Sequence, residues 1–457
     1  MTATEPAELA SRRAFRTPLL HFLSDPGPSL SPAAAEYFED GLLLVENGHV
    51  ERVGPAAELL GQLGEDWLLT EHPGKLIVPG FIDTHIHYPQ TDMIASYGEQ
   101  LLEWLNQYTF PTEGRFADPA HAADVANFFL EELLRNGTTT ALVLGSVHPQ
   151  SIDAFFAAAS ARNLRMLAGK VLMDRHAPDS LLDTPELAYH DSKALIERWH
   201  GQGRQLYAIT PRFAPTSTEA QLEAAGRLAR EYPDTYVHTH VAENQSEVAW
   251  VAELFPWSRS YLDVYDRHGL LRERAVYAHC LHLNERDRQR MAESGAVMAF
   301  CPTSNLFLGS GLFDLEAADE AGVRVGLATD VGAGTSFSLL QTLNEAYKVL
   351  QLKGQKLSPY RAFYLATLGS ARALYLDHRL GNFEPGKEAD FVVLDPAATP
   401  LMARRLAKVE NLLERLFVLM TLGDDRAVAA TYIMGREAHR RCAPSVIALS
   451  GRSAERS

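Results

Sequence analysis

The chain has 457 residues and carries 42 Lys and Arg against 58 Asp and Glu, so its formal net charge is −16. Hydrophobic residues make up 46% of it and charged residues 22%, which is typical of a folded globular protein rather than a disordered one. Because nucleic acids and anionic membranes bind clustered Lys and Arg, the acidic balance argues against both as main partners. The length allows one large domain and a smaller one.

The cysteines and the N-terminal segment bear on the cellular compartment. Cys280, Cys301 and Cys442 are widely spaced and form no C-x-x-C pair, which predicts reduced, buried thiols rather than a disulfide framework or a Cys-based zinc site. Residues 1–16 show no basic-then-apolar signal pattern. The sequence has no uninterrupted run of about 18 apolar residues, so no membrane-spanning helix is predicted. We therefore expect a soluble, cytoplasmic protein.

Short strand-like runs lie near both ends of the chain. Residues 41–45 and 49–53 flank Asn47-Gly48, and an Asn-Gly pair between two such runs predicts a β-hairpin. Residues 386–394 and 427–435 have the same character near the C-terminus. Because chain termini often lie close together, we predict a small β domain built from both ends.

The middle of the chain alternates strand-like and helical patterns. Eight apolar runs recur there, at residues 75–86, 138–147, 165–173, 206–213, 235–241, 275–281, 296–300 and 323–329. Helical patterns such as residues 120–136 and 221–231 fill most gaps, which indicates parallel βα units. Eight units over about 300 residues favour an α/β protein with a (β/α)₈ TIM-type barrel; the alternative is an open doubly wound sheet. The long insert after the first run, residues 87–137, is predicted to carry an active-site loop.

Histidines and an aspartate stand at the predicted carboxyl ends of several strands, where barrel enzymes place catalytic residues. His85 and His87 end the first run and, as residues i and i+2 of a strand, face the same side. His240 ends the fifth run and Asp330 follows the eighth. Imidazole and carboxylate are good ligands for Zn²⁺, so these four residues predict a metal site. His279, at the end of the sixth run, is predicted as a further ligand or as the group that orients a bound water.

Neighbouring residues suggest the remaining chemistry. Glu243 lies just beyond the fifth run and is predicted to shuttle protons, while Asp330 can accept a proton from water. His238 and His282 are predicted to support the site rather than bind metal. Lys170 could carry a carbamate that bridges two metals, but it lies on the third run, and the fourth ends in Pro-Arg-Phe without a lysine. One metal ion is therefore predicted.

Taken together, these motifs resemble the amidohydrolase superfamily, specifically its mononuclear deaminases. The segments that carry the resemblance are PGFIDTHIH at residues 79–87, H-x-x-E at 240–243, the single His279 and Thr-Asp at 329–330. Residues 87–116 and the block ITPRFAPTS at 209–217 are similar, more narrowly, to the guanine deaminases. The resemblance covers nearly the whole chain. It implies a barrel over residues 79–382, flanked by a composite β-sandwich from residues 1–78 and 383–457.

The resemblance also implies one zinc ion per chain and a set of site residues. The implied metal ligands are His85, His87, His240, His279 and Asp330, and the implied catalytic residues are Glu243, Asp330 and His279. The implied substrate-binding residues are Gln90, Arg212 and Phe213, together with His240, Glu243 and Asp330. The implied reaction is attack of metal-activated water on C2 of guanine, a small-molecule substrate of purine catabolism, giving xanthine and ammonia. A homodimer is expected, with no nucleic-acid or membrane partner.

Other functions stay open at this point. Another amidohydrolase deaminase would act on a different amino-heterocycle of the adenosine, S-adenosylhomocysteine or triazine type. A barrel scaffold without catalysis would lack ligands, whereas this sequence has the full set together with Glu243. The native metal is also open between zinc, iron and their neighbours, because histidine–carboxylate sites accept several divalent ions.

Overall fold

The computed structural model describes residues 11–27, 31–98 and 100–441, and the strands of this part form two sheets. The first strands along the chain are Arg12–Phe22 (β1), Ala35–Glu46 (β2), His49–Pro55 (β3), Trp67–Glu71 (β4) and Leu76–Pro79 (β5). The strands of the middle are Phe81–His87 (β6), Thr138–Leu144 (β7), Arg165–Gly169 (β8), Val171–Leu172 (β9), Leu206–Pro211 (β10), Tyr236–Val241 (β11), Ala275–His279 (β12), Val297–Phe300 (β13) and Arg324–Leu327 (β14). The last strands are Phe391–Leu394 (β15), Val428–Ile433 (β16) and Arg436–Arg440 (β17).

The first sheet joins the two ends of the chain, in the order β17-β16-β15-β5-β1-β2-β3, with β4 paired to β1. The predicted hairpin is confirmed: β2 and β3 pair antiparallel, and Asn47 and Gly48 turn the chain with φ values of 53° and 83°. The sheet curls, since the backbone N–H of Val50 in β3 donates to the carbonyl of Lys387, just before β15, at 2.8 Å. A small β domain from both ends is therefore present; its boundaries at residues 78 and 383 stay a prediction.

The second sheet is a parallel barrel. Strands β6, β7, β8 and β10 to β14 pair in chain order, and β9 continues alongside β10. The two ends of this row meet at their carboxyl ends, where the backbone N–H of Asp330 donates to the carbonyl of His85 at 3.0 Å. Below that bond, Thr84 Oγ1 donates to the carbonyl of Leu327 at 3.0 Å. The predicted (β/α)₈ class is confirmed, and the open doubly wound sheet was the wrong alternative.

Two of the predicted strands are interrupted in the structure. The run at residues 75–86 divides at Gly80: β5 pairs with β15 and β1 in the first sheet, whereas β6 opens the barrel. A Cβ at Gly80 would lie 2.1 Å from Thr139 Oγ1, so the chain passes there too closely for a side chain. The run at residues 165–173 breaks between β8 and β9 at Lys170, whose buried ammonium pairs with Asp183.

Helices surround the barrel and fill its loops. In chain order they are Ala56–Leu59 (α1), Leu101–Trp104 (α2), Phe110–Gly114 (α3), Pro119–Arg135 (α4), Pro149–Ala161 (α5), Pro185–Trp199 (α6), Glu219–Glu231 (α7), Gln245–Leu254 (α8), Tyr261–Arg267 (α9), Glu285–Ser294 (α10), Pro302–Phe307 (α11), Leu315–Ala321 (α12), Leu339–Leu352 (α13), Pro359–Tyr364 (α14), Ser370–Ala373 (α15), Pro400–Leu406 (α16) and Leu412–Leu422 (α17). Helices α4 and α7 confirm the patterns at residues 120–136 and 221–231. The Asp118 side chain caps α4 by accepting from the N–H of Ala120, the expected role of an aspartate at that position.

Two further predictions concern the thiols and the membrane. Cys280 and Cys301 are buried and free, while Cys442 lies outside the described residues. Within the described part of the chain, no helix combines the length and the apolar character needed to cross a membrane.

Candidate active site

Three imidazoles and one carboxylate converge at the carboxyl end of the barrel. His85 and His87 come from β6, His240 from β11, and Asp330 follows β14. The Nε2 atoms of His85 and His87 lie 3.1 and 3.2 Å from Asp330 Oδ1 and 3.2 Å from each other. The Nε2 atom of His240 lies 3.3 Å from that of His87. The structure thus brings together the four residues that the strand ends pointed to.

The spacing and orientation of these atoms fit a small divalent cation. In a tetrahedral site with bonds of about 2.0–2.1 Å, ligand atoms are about 3.3–3.4 Å apart. The Nδ1 atom of His240 lies 2.7 Å from the carbonyl oxygen of Arg212, which can only accept, so the ring N–H is on Nδ1 and the Nε2 lone pair faces the cluster. The Nδ1 atom of His85 lies 2.7 Å from Nε2 of the buried His238, which can accept its proton in the same way.

The charge states expected from burial also suit a cation. Burial lowers the pKa of His240 and of His238 well below the usual value, so both rings are neutral. Burial raises the pKa of the Asp330 carboxyl, but its interactions with His85 and then His87 outweigh burial and hold that pKa well below its usual value. Neutral imidazoles and an ionised carboxylate are the forms that bind metal.

His279 and Glu243 face each other beside this cluster. His279 ends β12, and its Nε2 atom lies 3.3 Å from Glu243 Oε2 and 3.8 Å from Asp330 Oδ2. Burial lowers the pKa of His279 to about 3, so its ring is neutral as well. Among the described residues, His279 belongs to a second close group with Cys301 and Asp330 rather than to the four-residue cluster. A water held between Glu243 and Asp330 would lie within its reach.

The loop after β11 holds Glu243 firmly. Ser310 Oγ donates to Glu243 Oε1 at 3.1 Å, and the backbone N–H of Glu243 donates to Glu247 Oε2 at 2.9 Å. Glu247 also closes the capping box of α8 with Asn244. Burial raises the pKa of Glu243 well above its usual value, and the nearby carboxylates of Asp330 and Glu247 raise it further. A carboxyl group in this setting can hold a proton at neutral pH.

Backbone conformation marks the same region. Ala242, His279, Cys280 and Asp330 all have φ between 50° and 74°, the left-handed region that side chains with a Cβ adopt infrequently. All of them lie at or just beyond the carboxyl ends of β11, β12 and β14. Such positions cluster at functional sites, where the surrounding structure holds them in place.

A pocket opens beside the cluster. Its lining combines the polar groups of the cluster with apolar side chains: His87, Gln90, Leu101, Trp104, Leu105, Arg212, Phe213, His240, Glu243, Glu247, His279, Leu308, Asp330 and Ala333. Leu101, Trp104 and Leu105 belong to the insert after β6, so this insert lines the pocket; its role as an active-site loop stays a prediction. The structure thus places Gln90, Arg212 and Phe213 on the pocket wall.

A buried carboxylate that we did not predict fixes the polar edge of this pocket. Arg212 Nη1 donates to Glu113 Oε2 at 2.6 Å, and Gln90 Nε2 donates to Glu113 Oε1 at 3.0 Å. Glu113 lies in α3 and is only 1% exposed. It is 99 residues from Arg212 in the sequence, so no local motif could have paired the two.

Other residues support the site from outside it. The side-chain amide of Asn305, which sequence reasoning also missed, lies 2.8 Å from Nδ1 of His279. His282 Nε2 lies 3.0 Å from the carbonyl of Ser310 and so anchors the loop that donates to Glu243. Lys170 pairs with Asp183 instead of joining the cluster. The count of one metal ion stays a prediction.

Known proteins are similar to this chain in sequence and in fold. Residues 76–438 match the amidohydrolase family. A guanine deaminase of Escherichia coli (strain K12) is 58% identical over 414 residues, which cover 91% of this chain and 94% of that protein. The solved structure of E. coli guanine deaminase has a TM-score of 0.93 at 56% identity and covers 94% of this chain and 100% of that one. A C. acetobutylicum guanine deaminase solved with bound guanine in the active site has a TM-score of 0.83 at 26% identity, covering 93% and 99%.

The fold and the site define an enzyme of the barrel class, with its polar cluster at the carboxyl ends of the strands. The chain belongs to the amidohydrolase family. The superfamily resemblance inferred from its motifs is therefore confirmed.

Proposed function

We propose that this enzyme removes the amino group from C2 of guanine by hydrolysis, giving xanthine and ammonia, and that it uses one zinc ion per chain. The observation that carries the proposal is the three-histidine, one-aspartate cluster beside a pocket edged by Gln90 and Arg212. The relatives named guanine deaminases, one of them solved with guanine in its active site, support the choice of substrate. A role in purine catabolism, a cytoplasmic location and a homodimer belong to the same proposal.

The metal-binding residues of this proposal are His85, His87, His240 and Asp330, with His279 either completing the set or contacting the reacting water. A zinc ion bound there would lower the pKa of that water to about 7 and so supply a nucleophile at neutral pH. The neutral state of His240 and the ionised state of Asp330 suit this role, as does the spacing of the ligand atoms.

Two carboxyl groups move the protons. Asp330 accepts a proton from the attacking water, whose oxygen bonds to C2 of guanine. Glu243 delivers a proton to ring nitrogen N3 and is left ionised. It then assists transfer of the proton held by Asp330 to the amino group. The bond from C2 to that nitrogen breaks and ammonia leaves, while the proton of the new C2 hydroxyl group returns to Glu243 and C2 becomes a carbonyl carbon. The contacts of Glu243 with Ser310 and with His279 Nε2, at 3.1 and 3.3 Å, fix its carboxyl beside the metal-binding cluster and support this role.

The pocket walls would bind and orient the purine. Arg212 has guanidinium N–H groups beyond the one given to Glu113, and these can donate to the 6-oxo group. Gln90 Oε1 accepts from the backbone N–H of Gly332 at 3.1 Å and keeps a second lone pair for a ring N–H. Phe213 and Trp104 provide apolar surface against the ring faces and exclude water.

A substrate panel with metal analysis tests the proposal. The purified enzyme is given guanine, adenosine, S-adenosylhomocysteine and an aminotriazine, and both ultraviolet absorbance and ammonia release are followed. We expect guanine to be converted with the highest kcat/KM and the protein to hold one equivalent of zinc. Release of ammonia from another compound but not from guanine would contradict the substrate, and two equivalents of metal would contradict the mononuclear site.

A further inference from the structure

Glu113 connects the two polar side chains that the proposed function assigns to the substrate. Its two carboxylate oxygens accept separately, Oε1 from Gln90 and Oε2 from Arg212. Nothing in the family resemblance assigned it a role. A buried carboxylate with one strong donor on each oxygen holds both donors in defined positions.

The contacts around Gln90 leave its amide a single orientation. The carboxylate of Glu113 can only accept, and the backbone N–H of Gly332 can only donate. A flipped amide would place oxygen against oxygen at Glu113 and N–H against N–H at Gly332. Glu113 and Gly332 together therefore fix the orientation in which Gln90 faces the pocket.

The guanidinium of Arg212 is held on two sides by the same insert. Glu113 accepts from Nη1, and the ring of Phe110 lies with its centroid 5.5 Å from the guanidinium carbon. Glu113 is itself anchored, because its backbone carbonyl accepts from Ser146 Oγ, beyond the end of β7, at 3.2 Å. The insert is in this way fixed to the barrel at the point where it holds Arg212.

We propose that Glu113 is a positioning residue that sets the preference for a purine carrying a 6-oxo group, by aiming Arg212 at that oxygen and fixing the amide of Gln90. This inference rests on the proposed function. It assigns specificity to a residue of the insert that does not itself line the pocket, since Glu113 acts through its two partners.

The substitution Glu113→Gln tests this role because it keeps the size of the side chain and removes one acceptor. A glutamine has one oxygen, so it can accept from Arg212 or from Gln90, and its NH₂ group then opposes the other donor. We expect KM for guanine to rise at least about tenfold, with a smaller change in kcat, because Glu113 reaches the metal cluster only through Gln90, whose Nε2 atom lies 3.1 Å from Nδ1 of His87. Metal content and melting temperature should match the wild type.

Two comparisons separate positioning from a general structural role. 2-Aminopurine carries the same C2 amino group but no 6-oxo group, so its inhibition constant against guanine should change less than about threefold in Glu113→Gln. Glu113→Asp keeps the charge on a shorter side chain, and its KM for guanine should lie between those of the wild type and Glu113→Gln. Glu103→Gln, at an exposed position of the same insert, is the matched control and should leave every value unchanged.

The outcomes are distinct. An unchanged KM for guanine in Glu113→Gln, or equal losses for guanine and 2-aminopurine, would overturn the positioning role while the proposed function stands. If Glu113→Gln loses metal or folds poorly, Glu113→Asp decides, and a wild-type KM in that variant would contradict the inference. A wild-type enzyme that leaves guanine unchanged would instead contradict the proposed function.

Discussion

The Nδ1–H group of His240 donates to the backbone carbonyl of Arg212 across 2.7 Å. This bond leaves the Nε2 lone pair of His240 facing the other imidazoles, while the side chain of Arg212 points to the pocket and is held by Glu113. One residue on the loop after β10 thus orients a metal-binding group through its backbone and the substrate edge through its side chain. The cation and the substrate are expected to occupy neighbouring parts of one rigid unit.

Removing the imidazole of His240 is expected to abolish stoichiometric metal binding. The substitution His240→Ala takes away one of four converging ligand atoms and should reduce bound metal to well below one equivalent, measured by mass spectrometry after dialysis. His190→Ala, at an exposed position on α6, serves as the control and should keep its metal. Full metal content in His240→Ala would show that the cluster is not the binding site.

Replacing Glu243 is expected to stop proton transfer without disturbing the cluster. Glu243→Gln keeps the size and the contact with Ser310 but cannot deliver a proton, so kcat should fall by at least about 100-fold. Metal content should stay at the wild-type value. Glu253→Gln, at an exposed position of helix α8 just after the loop of Glu243, should retain full activity. A near-normal kcat in Glu243→Gln with metal bound would rule out the shuttle role.

The contact between His238 and His85 is expected to strengthen metal binding. His238→Leu removes the acceptor 2.7 Å from Nδ1 of His85, and loss of such a partner typically weakens metal affinity by about 10- to 100-fold. His238→Gln places an amide oxygen near the same position and should recover part of that affinity. Competition with a chelator of known affinity measures both variants. Equal affinities in His238→Leu and the wild type would show that His85 needs no partner.

A buried ion cluster beneath the barrel is expected to make stability depend on pH. Glu388, just before β15, accepts from Arg165 of β8 and from Arg204, and Arg204 also pairs with Asp390. Burial raises the pKa of Glu388, but the two arginines outweigh burial and lower it to about 2. Because the folded-state pKa lies below the unfolded one, Glu388 stabilises the protein above about pH 4.5, and this contribution is lost as the pH falls towards 2.

Comparison of the wild type with Glu388→Gln isolates that contribution. The difference in the free energy of unfolding should shrink by about 2 kcal/mol between pH 5 and pH 3, since only the wild type gains a proton there on unfolding. Urea denaturation at each pH measures it, with Glu103→Gln as an exposed control. A difference that stays constant over this range would show that Glu388 is not held ionised by the arginines.

The predictable part of this site is the part that local sequence determines. His85, His87, His240 and Asp330 lie near or just beyond the carboxyl ends of strands in a repeating βα pattern. Their shared edge of the barrel therefore follows from the pattern itself. Glu113 was not predictable in this way, because its contact with Arg212 depends on how the insert folds back over the barrel.

The strand boundaries show the same limit. The break at Gly80 separates two apolar segments that are continuous in sequence, and only the close approach of Thr139 reveals it. The break at Lys170 depends on pairing with Asp183 from a later loop. Contacts between distant segments therefore account for most of what the sequence left undetermined.

The product balance with guanine as the substrate tests the proposed reaction itself. With metal bound, each mole of guanine consumed should yield one mole of xanthine and one of ammonia, and Glu243→Gln with the same metal content should yield neither at a comparable rate. Guanine left unchanged by metal-loaded wild-type enzyme would contradict the proposed reaction, and xanthine formed equally well by Glu243→Gln would contradict the role of Glu243.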